Sequence, residues 1–220
     1  MTSKSNKDII IIALKLLVIC AVVALIVSTV NFITKDRILL NEKQNTAVAL
    51  TGIFSQDFGG LAFTVEGDEY VIRDNDMIVA DCTAAECTLN KDVNALYVIE
   101  DAHKNPLFYC VSISPMGFKS QINMLVAVNP DLTVKGVEIV SMSETSGIGT
   151  KAQDKAFLSK FSGKTENQAS EVDIITGATK TSKPIIEAVA NALNQVAVYK
   201  SSLGGEQSWM KKRLTTKSIL

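Results

Sequence analysis

The most constraining feature of this sequence is a long apolar run near its N-terminus. From Ile9 to Ile33 the chain is apolar except at Lys15, Ser28, Thr29 and Asn31. A bilayer core of about 30 Å needs roughly 20 such residues in a helix. A cleaved signal peptide would have a shorter apolar run and a small-residue cleavage site, and a soluble core helix seldom stays apolar on every face. The run therefore predicts a transmembrane helix over residues 9–34, after a polar lead over residues 1–8.

The charges around this run give a weak indication of orientation, because cytoplasmic flanks tend to carry the excess of Lys and Arg. The positive charges on the two sides are nearly balanced, with Lys4, Lys7 and Lys15 on one side and Lys35, Arg37 and Lys43 on the other. The short basic N-terminus favours a cytoplasmic N-terminus and an extracytoplasmic C-terminal domain. We therefore expect a single-pass protein of the cell (inner) membrane, in contact with membrane lipid.

The charge of the remaining chain excludes one class of function. The net charge of the whole chain is −1, but residues 36–210 hold 14 basic and 22 acidic side chains. A nucleic-acid-binding surface would show a basic face, so we expect no nucleic-acid partner. The last residues, 206–220, form a basic tail. That tail could contact anionic lipid or a partner protein, or it could be a solvated fringe.

The pattern of the rest of the chain predicts an α+β domain over residues 61–205, with a mainly antiparallel sheet and flanking helices. A juxtamembrane helix and linker over residues 35–60 precede it and end at a Gly-Gly pair. The predicted strands are Glu69–Arg73, Ala95–Glu100, Leu107–Ile113, Gln121–Val128, Thr133–Ser141 and Val172–Ile175. The turn residues Asn129-Pro130-Asp131-Leu132 predict a hairpin. Apolar residues at helical spacing predict helices over Lys151–Phe161 and Pro184–Tyr199.

Four cysteines and one histidine do not suffice for a metal centre. A structural zinc site uses four Cys or His ligands in paired spacings, and iron–sulfur clusters usually use four thiolates. We therefore expect no metal. Cys82 and Cys87 could form a local disulfide, or they could be two free thiols in a loop. The sequence also shows no acid–base pair or nucleophilic triad, so we expect no catalytic residue.

The segment from Asp173 to Thr181 carries the most specific chemical signal. A strand ending at Ile175, a small-residue turn and a helix capped by Thr181 or Ser182 would place a helix N-terminus here, with Pro184 in its first turn. Helix N-termini favour anions, so a phosphate could lie beside a threonine hydroxyl. A plain strand–turn–helix junction remains an alternative. The segment lacks the Gly-x-x-x-x-Gly-Lys pattern of a nucleoside triphosphate loop.

Two motifs give the chain a resemblance to a known family. Residues 173–179, Asp-Ile-Ile-Thr-Gly-Ala-Thr, match Asp-x-x-(Ser/Thr)-Gly-Ala-Thr, the flavinylation motif of the FMN-binding domain family. Residues 144–149 resemble its Glu-Thr-Pro-Gly-Leu-Gly segment, with Ser146 in place of proline and Ile148 in place of leucine. The family includes the G subunit of the Rnf ferredoxin:NAD⁺ oxidoreductase complex and the C subunit of the Na⁺-translocating NADH:quinone reductase.

The resemblance implies a cofactor and its position. In the family the last threonine of the motif, here Thr179, bears FMN through a phosphodiester that a flavin transferase makes from FAD. The residues around it that the resemblance implies as cofactor contacts are Thr176, Gly177, Ala178, Lys180, Glu144, Thr145, Ile148 and Gly149. Thr181 is the main alternative attachment point, although capping the helix is its expected role.

The resemblance also implies a function. It predicts an electron-transfer subunit of an ion-translocating ferredoxin:NAD⁺ oxidoreductase, with no complete catalytic cycle of its own, in contact with the other membrane subunits of an Rnf-type complex. The chain length favours the Rnf-type subunit over the quinone-reductase subunit. A non-redox, membrane-anchored binding module is the alternative from a different class.

Overall fold

The computed structural model describes the backbone of residues 2–217 and the side chains of residues 9–203. The predicted polar lead, residues 1–8, and basic tail, residues 206–220, therefore lie outside the residues whose side chains are described. The chain divides into two compact units, one up to Lys43 and one from Gln44 onward. All features of the sheet domain below belong to the second unit.

The first unit is helical. Helix α1 spans Thr2–Phe54 and begins in this unit. Every side chain from Ile9 to Ile33 is exposed, and the helix from Ile9 onward is long and apolar enough to cross a membrane. A signal sequence near an N-terminus would meet the same criteria. The predicted membrane helix thus has a structural counterpart that could span a bilayer.

The second unit contains a seven-stranded sheet in which each strand pairs antiparallel with the next along the chain. The strands are β1 Thr64–Glu66, β2 Glu69–Asp74, β3 Met77–Ala84, β4 Val93–Asp101, β5 Pro106–Ile113, β6 Ile122–Val128 and β7 Val134–Met142. Five of them confirm predicted strands, and the predicted hairpin joins β6 to β7. Strands β1 and β3 were missed.

The sheet is covered on both faces, because successive side chains of a strand point to opposite sides. On β6, Met124 and Val126 belong to one buried cluster, whereas Leu125 and Ala127 belong to another. The first, here the helix-side cluster, includes Ile185, Val189 and Leu193 of the last helix. The second, here the Phe54 cluster, includes Leu50 and Phe54 from the end of α1. This arrangement explains why the central strands read as continuous apolar runs.

The helical segments after β7 are short except for the last. They are a 3-10 helix Gly149–Gln153, α2 Lys155–Leu158, a 3-10 helix Ser159–Phe161, α3 Glu166–Ser170 and α4 Thr179–Lys217. The apolar face predicted for α4 is confirmed, since Ile185, Val189, Leu193 and Val196 are buried. Each such aliphatic side chain contributes roughly 1.5–3 kcal/mol of transfer free energy, which holds α4 on the sheet.

Three predicted elements were wrong in part. Val172–Ile175 is not a strand: Val172 is buried in the helix-side cluster, but residues 173–175 are irregular. The helix predicted over Lys151–Phe161 is divided because Asp154 adopts an extended conformation, with φ −64° and ψ 133°. Helix α4 runs to Lys217, whereas the predicted helix ended at Tyr199.

The start of α4 also differs from the prediction. The helix begins at Thr179, so Thr181 and Ser182 lie inside it and Pro184 is its sixth residue. The amides of Thr181 and Ser182 both donate to the Ala178 carbonyl, at 3.0 and 2.9 Å. These bonds extend the helix N-terminally beyond the proline that had been taken to mark its first turn.

The cysteines are all free. Cys82 lies in the Phe54 cluster, whereas Cys87 packs against the helix-side cluster, so the two thiols belong to opposite faces of the sheet. A disulfide between them, one of the two alternatives left open by the sequence, is therefore not formed.

Candidate functional site

The sheet brings three separate chain segments together at one end. Ile122 of β6 pairs with Met142 of β7, so the turn before β6 lies beside the loop that follows β7. This turn, residues 117–120, is closed by a bond from the Gly117 amide to the Ser120 carbonyl. The third segment is the start of α4. Pairing of the strands and packing of α4 on them thus place residues far apart in sequence around one cavity.

That cavity measures about 380 Å³. Its lining residues are Phe118, Glu144, Thr145, Ile148, Gly149, Gly177, Ala178, Thr179, Lys180 and Thr181. The structure therefore brings together eight of the nine residues that the sequence analysis named as cofactor contacts. The ninth, Thr176, is exposed and does not line it. The size lies within the range of small-molecule sites in proteins, about 300–1,000 Å³.

The turn that precedes α4 depends on its small residues. Gly177 has φ +82°, a left-handed conformation in which a side chain would be strained. Ala178 is buried, and its amide donates to the Ile175 carbonyl at 2.9 Å. The Ser182 hydroxyl accepts from the Ile175 amide and donates to the Ala178 carbonyl. The Ser182 side chain therefore stabilises the turn by bonding to the backbone. It does so from inside α4 and not as the predicted N-cap residue.

Two threonines at the start of α4 differ in accessibility. Thr179 is exposed and lines the cavity. Thr181 is only 2% exposed, and its hydroxyl donates to Glu144 Oε2 at 3.2 Å. A covalent modification requires a hydroxyl that another molecule can reach, so the geometry favours Thr179 over Thr181 as an attachment point.

The first residues of α4 also suit an anion. The dipole of a helix favours negative charge at its N-terminus. Lys180, next in the chain, adds a full positive charge at the same cavity and lies with its Nζ 5.3 Å from the centre of the Phe118 ring. A phosphate attached to Thr179 would thus meet favourable electrostatics.

Comparison with known proteins finds a match to one domain family. Residues 117–194 match the profile of the FMN-binding domain family. The matched range contains all three segments that form the cavity.

Relatives of the chain belong to ion-translocating complexes. The G subunit of the proton-translocating ferredoxin:NAD(+) oxidoreductase complex of Clostridium ljungdahlii is 31% identical over 112 residues, which cover 47% of this chain and 60% of the relative. The G subunit of the ion-translocating oxidoreductase complex of Vibrio vulnificus is 23% identical over 199 residues, covering 84% and 87%. The crystal structure of Shewanella oneidensis NqrC is 22% identical, covers 58% of this chain and 79% of its own, and has a TM-score of 0.39.

The lining of this cavity fits a flavin chemically. Phe118 and Ile148 are both more than half exposed and offer apolar surface to an aromatic ring system. Thr179 offers a hydroxyl, and the start of α4 offers the positive end of a helix dipole to a phosphate. Among the residues that the structure describes, no group of three or more His, Cys, Asp and Glu side chains could hold a metal ion.

One lining residue of the cavity was not predicted from the sequence. Phe118 lies in the turn before β6, about 60 residues from the flavinylation motif. A single exposed aromatic next to a glycine carries little signal by itself. The matched domain begins at residue 117, so only the family comparison or the pairing of β6 with β7 could have connected Phe118 to the site.

Proposed function

We propose that this protein is a membrane-anchored electron carrier that bears FMN through a phosphodiester to Thr179. The observation that carries the proposal is that Thr179 is exposed and lines the cavity, at the N-terminus of α4 and inside the range matched to the FMN-binding domain family. In the attachment reaction a flavin transferase would join the Thr179 oxygen to the FMN phosphorus of FAD. The bond to AMP would break, and the hydroxyl proton would be released.

The residues of the chain would act by holding the cofactor. The flavin supplies the redox chemistry when bound, and the protein supplies attachment, orientation and electrostatic tuning. Thr179 fixes the phosphate end, and Lys180 and the first turn of α4 neutralise its charge. Ile148 and Phe118 provide apolar surface for the ring. Glu144, Thr145 and Gly149 also line the cavity.

The relatives indicate the setting in which such a carrier works. Their names describe G subunits of ferredoxin:NAD(+) and ion-translocating oxidoreductase complexes. We infer that this chain is the corresponding subunit of an Rnf-type complex and contacts its other membrane subunits. A single membrane helix is too little to form an ion path, so ion movement would belong to those partners.

The proposal includes an orientation, with the N-terminus in the cytoplasm and the FMN-binding domain outside. Lys160 is exposed in that domain, so Lys160→Cys, in a background with Cys20 and Cys87 replaced by serine, provides a labelling site. A membrane-impermeant maleimide should label it in intact cells. Labelling only after lysis would reverse the orientation.

Thr179→Val tests the function directly. The substitution keeps the β-branched shape and removes the hydroxyl, so the fold should survive while covalent attachment is abolished. Co-expression with the transferase should give wild-type protein one added FMN by intact mass, with in-gel flavin fluorescence after denaturation. The variant should show neither.

Thr181→Val is the matched control for that experiment. It removes the bond to Glu144, at a cost of about 1 kcal/mol, and should keep covalent flavin. Flavin on the Thr179 variant would refute the attachment site. Wild-type protein that never acquires flavin would refute the function and favour a non-redox binding module.

A further inference from the structure

The Glu144 carboxylate accepts three hydrogen bonds from other parts of the protein. Its Oε1 accepts hydrogen bonds from the amides of Lys119 and Ser120, at 3.0 and 3.3 Å. Its Oε2 accepts from the Thr181 hydroxyl at 3.2 Å. One carboxylate thus joins the turn before β6 and the start of α4 to the loop that follows β7.

The space around this carboxylate is closed by glycines. A Cβ on Gly117 would lie 2.5 Å from Glu144 Oε1, and a Cβ on Gly149 would lie 2.7 Å from Glu144 Cβ. Neither glycine has a positive φ, so close approach rather than backbone conformation accounts for their lack of a side chain. The chain is therefore shaped to receive the Glu144 side chain in this position.

The bonding pattern argues against Glu144 as a primary ligand of the cofactor. A carboxylate has roughly four acceptor positions, and three protein donors already use it. Hydrogen bonds to an ionised acceptor are also stronger than neutral ones. The carboxylate is therefore suited to hold protein segments together.

We propose that Glu144 is a positioning residue that holds the Phe118 turn, residues 117–120, against the start of α4 and so fixes the mouth of the flavin cavity. This proposal rests on the proposed function, because the mouth matters only if the cavity holds FMN. The turn carries Phe118, which is 59% exposed, and Lys180 of α4 lies against its ring. We call the three hydrogen bonds of the Glu144 carboxylate the clamp. The clamp sets the distance between the Phe118 turn and the start of α4.

Amide hydrogen exchange tests the clamp without a cofactor. In flavin-free full-length protein carrying Thr179→Val, adding Glu144→Ala should speed exchange at the Lys119 and Ser120 amides by about tenfold or more, because both lose a charged acceptor. Glu144→Gln retains an acceptor oxygen and should restore most of the protection. Glu86→Ala, an exposed acid in another loop of the same domain, should leave both amides unchanged.

Flavin fluorescence tests the consequence. In protein that keeps Thr179, Glu144→Ala should still acquire covalent FMN, but the anisotropy of the flavin emission should fall because the ring is less restrained. Gly149→Ala should act in the same direction, because its Cβ would lie 2.7 Å from Glu144 Cβ and 2.9 Å from Oε2 and so displaces the carboxylate while leaving it present. If Glu144→Ala is unfolded, as checked by near-ultraviolet circular dichroism, Gly149→Ala decides the test.

The outcomes separate this proposal from the function beneath it. Unchanged exchange at Lys119 and Ser120 in Glu144→Ala would refute the clamp. Faster exchange with unchanged flavin anisotropy would refute its role at the cavity mouth. A wild-type protein without flavin would refute the proposed function and that role, while the exchange measurements would still decide whether the clamp exists.

Discussion

Each face of the sheet is covered by a helix, but the side chains that pack on the two faces differ in type. The Phe54 face is closed by four phenylalanines, Phe54, Phe58, Phe63 and Phe108, whose ring centres lie 4.9–6.4 Å apart. The helix-side face is covered by α4 and aliphatic residues, and polar side chains join α4 to neighbouring loops. The candidate site lies on the chain segments that flank this second face.

This difference in packing indicates which residues contribute to stability and which contribute to the candidate site. Offset aromatic rings fill space with few degrees of freedom and leave no polar group to satisfy, so the Phe54 face suits a purely structural role. The cavity forms instead where α4 begins, where glycines and loops replace regular packing. We therefore expect changes on the Phe54 face to alter stability without altering the flavin, and changes at the exposed residues that line the cavity to alter the flavin with little effect on stability.

Phe54→Ala should have the largest effect on stability. Phe54 is 1% exposed and contacts three other rings, so truncation should lower the free energy of unfolding by about 3–5 kcal/mol. Denaturant unfolding of the protein in detergent measures this, and flavin content is read from the folded fraction. We expect full covalent FMN on the molecules that remain folded.

Phe118→Ala is the matched control, since it removes the same side chain from an exposed position at the cavity. Its unfolding free energy should change by less than about 0.5 kcal/mol. Loss of flavin from folded Phe54→Ala would show that the two faces are coupled and that the Phe54 face does not act on stability alone.

Sequence reasoning succeeded where local pattern and tertiary structure agree. The β6–β7 hairpin follows from its turn residues, and the buried face of α4 follows from the spacing of Ile185, Val189 and Leu193. Strand β3 was missed because it mixes polar and apolar residues; it includes Asp81, which is buried and bonded to Lys104 at 2.7 Å. That ion pair joins residues 23 positions apart, and only the assembled sheet makes burial of the aspartate tolerable.

The candidate site was predictable to the extent that it is a contiguous motif. The Thr-Gly-Ala-Thr segment marked Thr179, and the segment of residues 144–149 marked further residues that line the same cavity. The part played by Glu144 could not be read from sequence, because its donors come from Lys119, Ser120 and Thr181. The start of α4 was misplaced because Pro184 and the capping residues are local signals, whereas bonds to the Ala178 carbonyl extend the helix towards the motif.

Gln195→Ala should have an intermediate effect, on the helix-side face. The Gln195 side chain is fully buried, accepts from the Asn90 amide at 2.6 Å and donates to the Thr88 carbonyl at 3.0 Å. Truncation leaves both backbone groups unpaired, which should cost about 1–3 kcal/mol. Gln153→Ala, at an exposed position, should be close to neutral under the same denaturant assay.

The Gln195→Ala variant also tests whether a change on the helix-side face, away from the cavity, affects the flavin. Gln195 lies about four turns along α4 from Thr179, so the covalent flavin should be retained in full. Destabilisation accompanied by loss of flavin would mean that the whole of α4, and not its first turns alone, positions the cofactor.

The smallest expected effect is alkylation of Cys87, which should leave stability unchanged within the error of the assay. The two thiols of the Phe54 face, Cys82 and Cys110, are buried. Burial raises the pKa of Cys110 to about 12 and raises that of Cys82 well above its usual value. The thiolate is the reactive form, so the raised pKa values lower the reactivity of both thiols. Cys87 is partly exposed. In a Cys20→Ser background at about pH 8, near the ordinary thiol pKa, iodoacetamide should therefore modify Cys87 alone in native protein and all three cysteines after denaturation, as read by peptide mass. Native modification of Cys82 or Cys110 at a rate similar to that of Cys87 would show that the Phe54 face opens readily and is not the rigid half of the comparison.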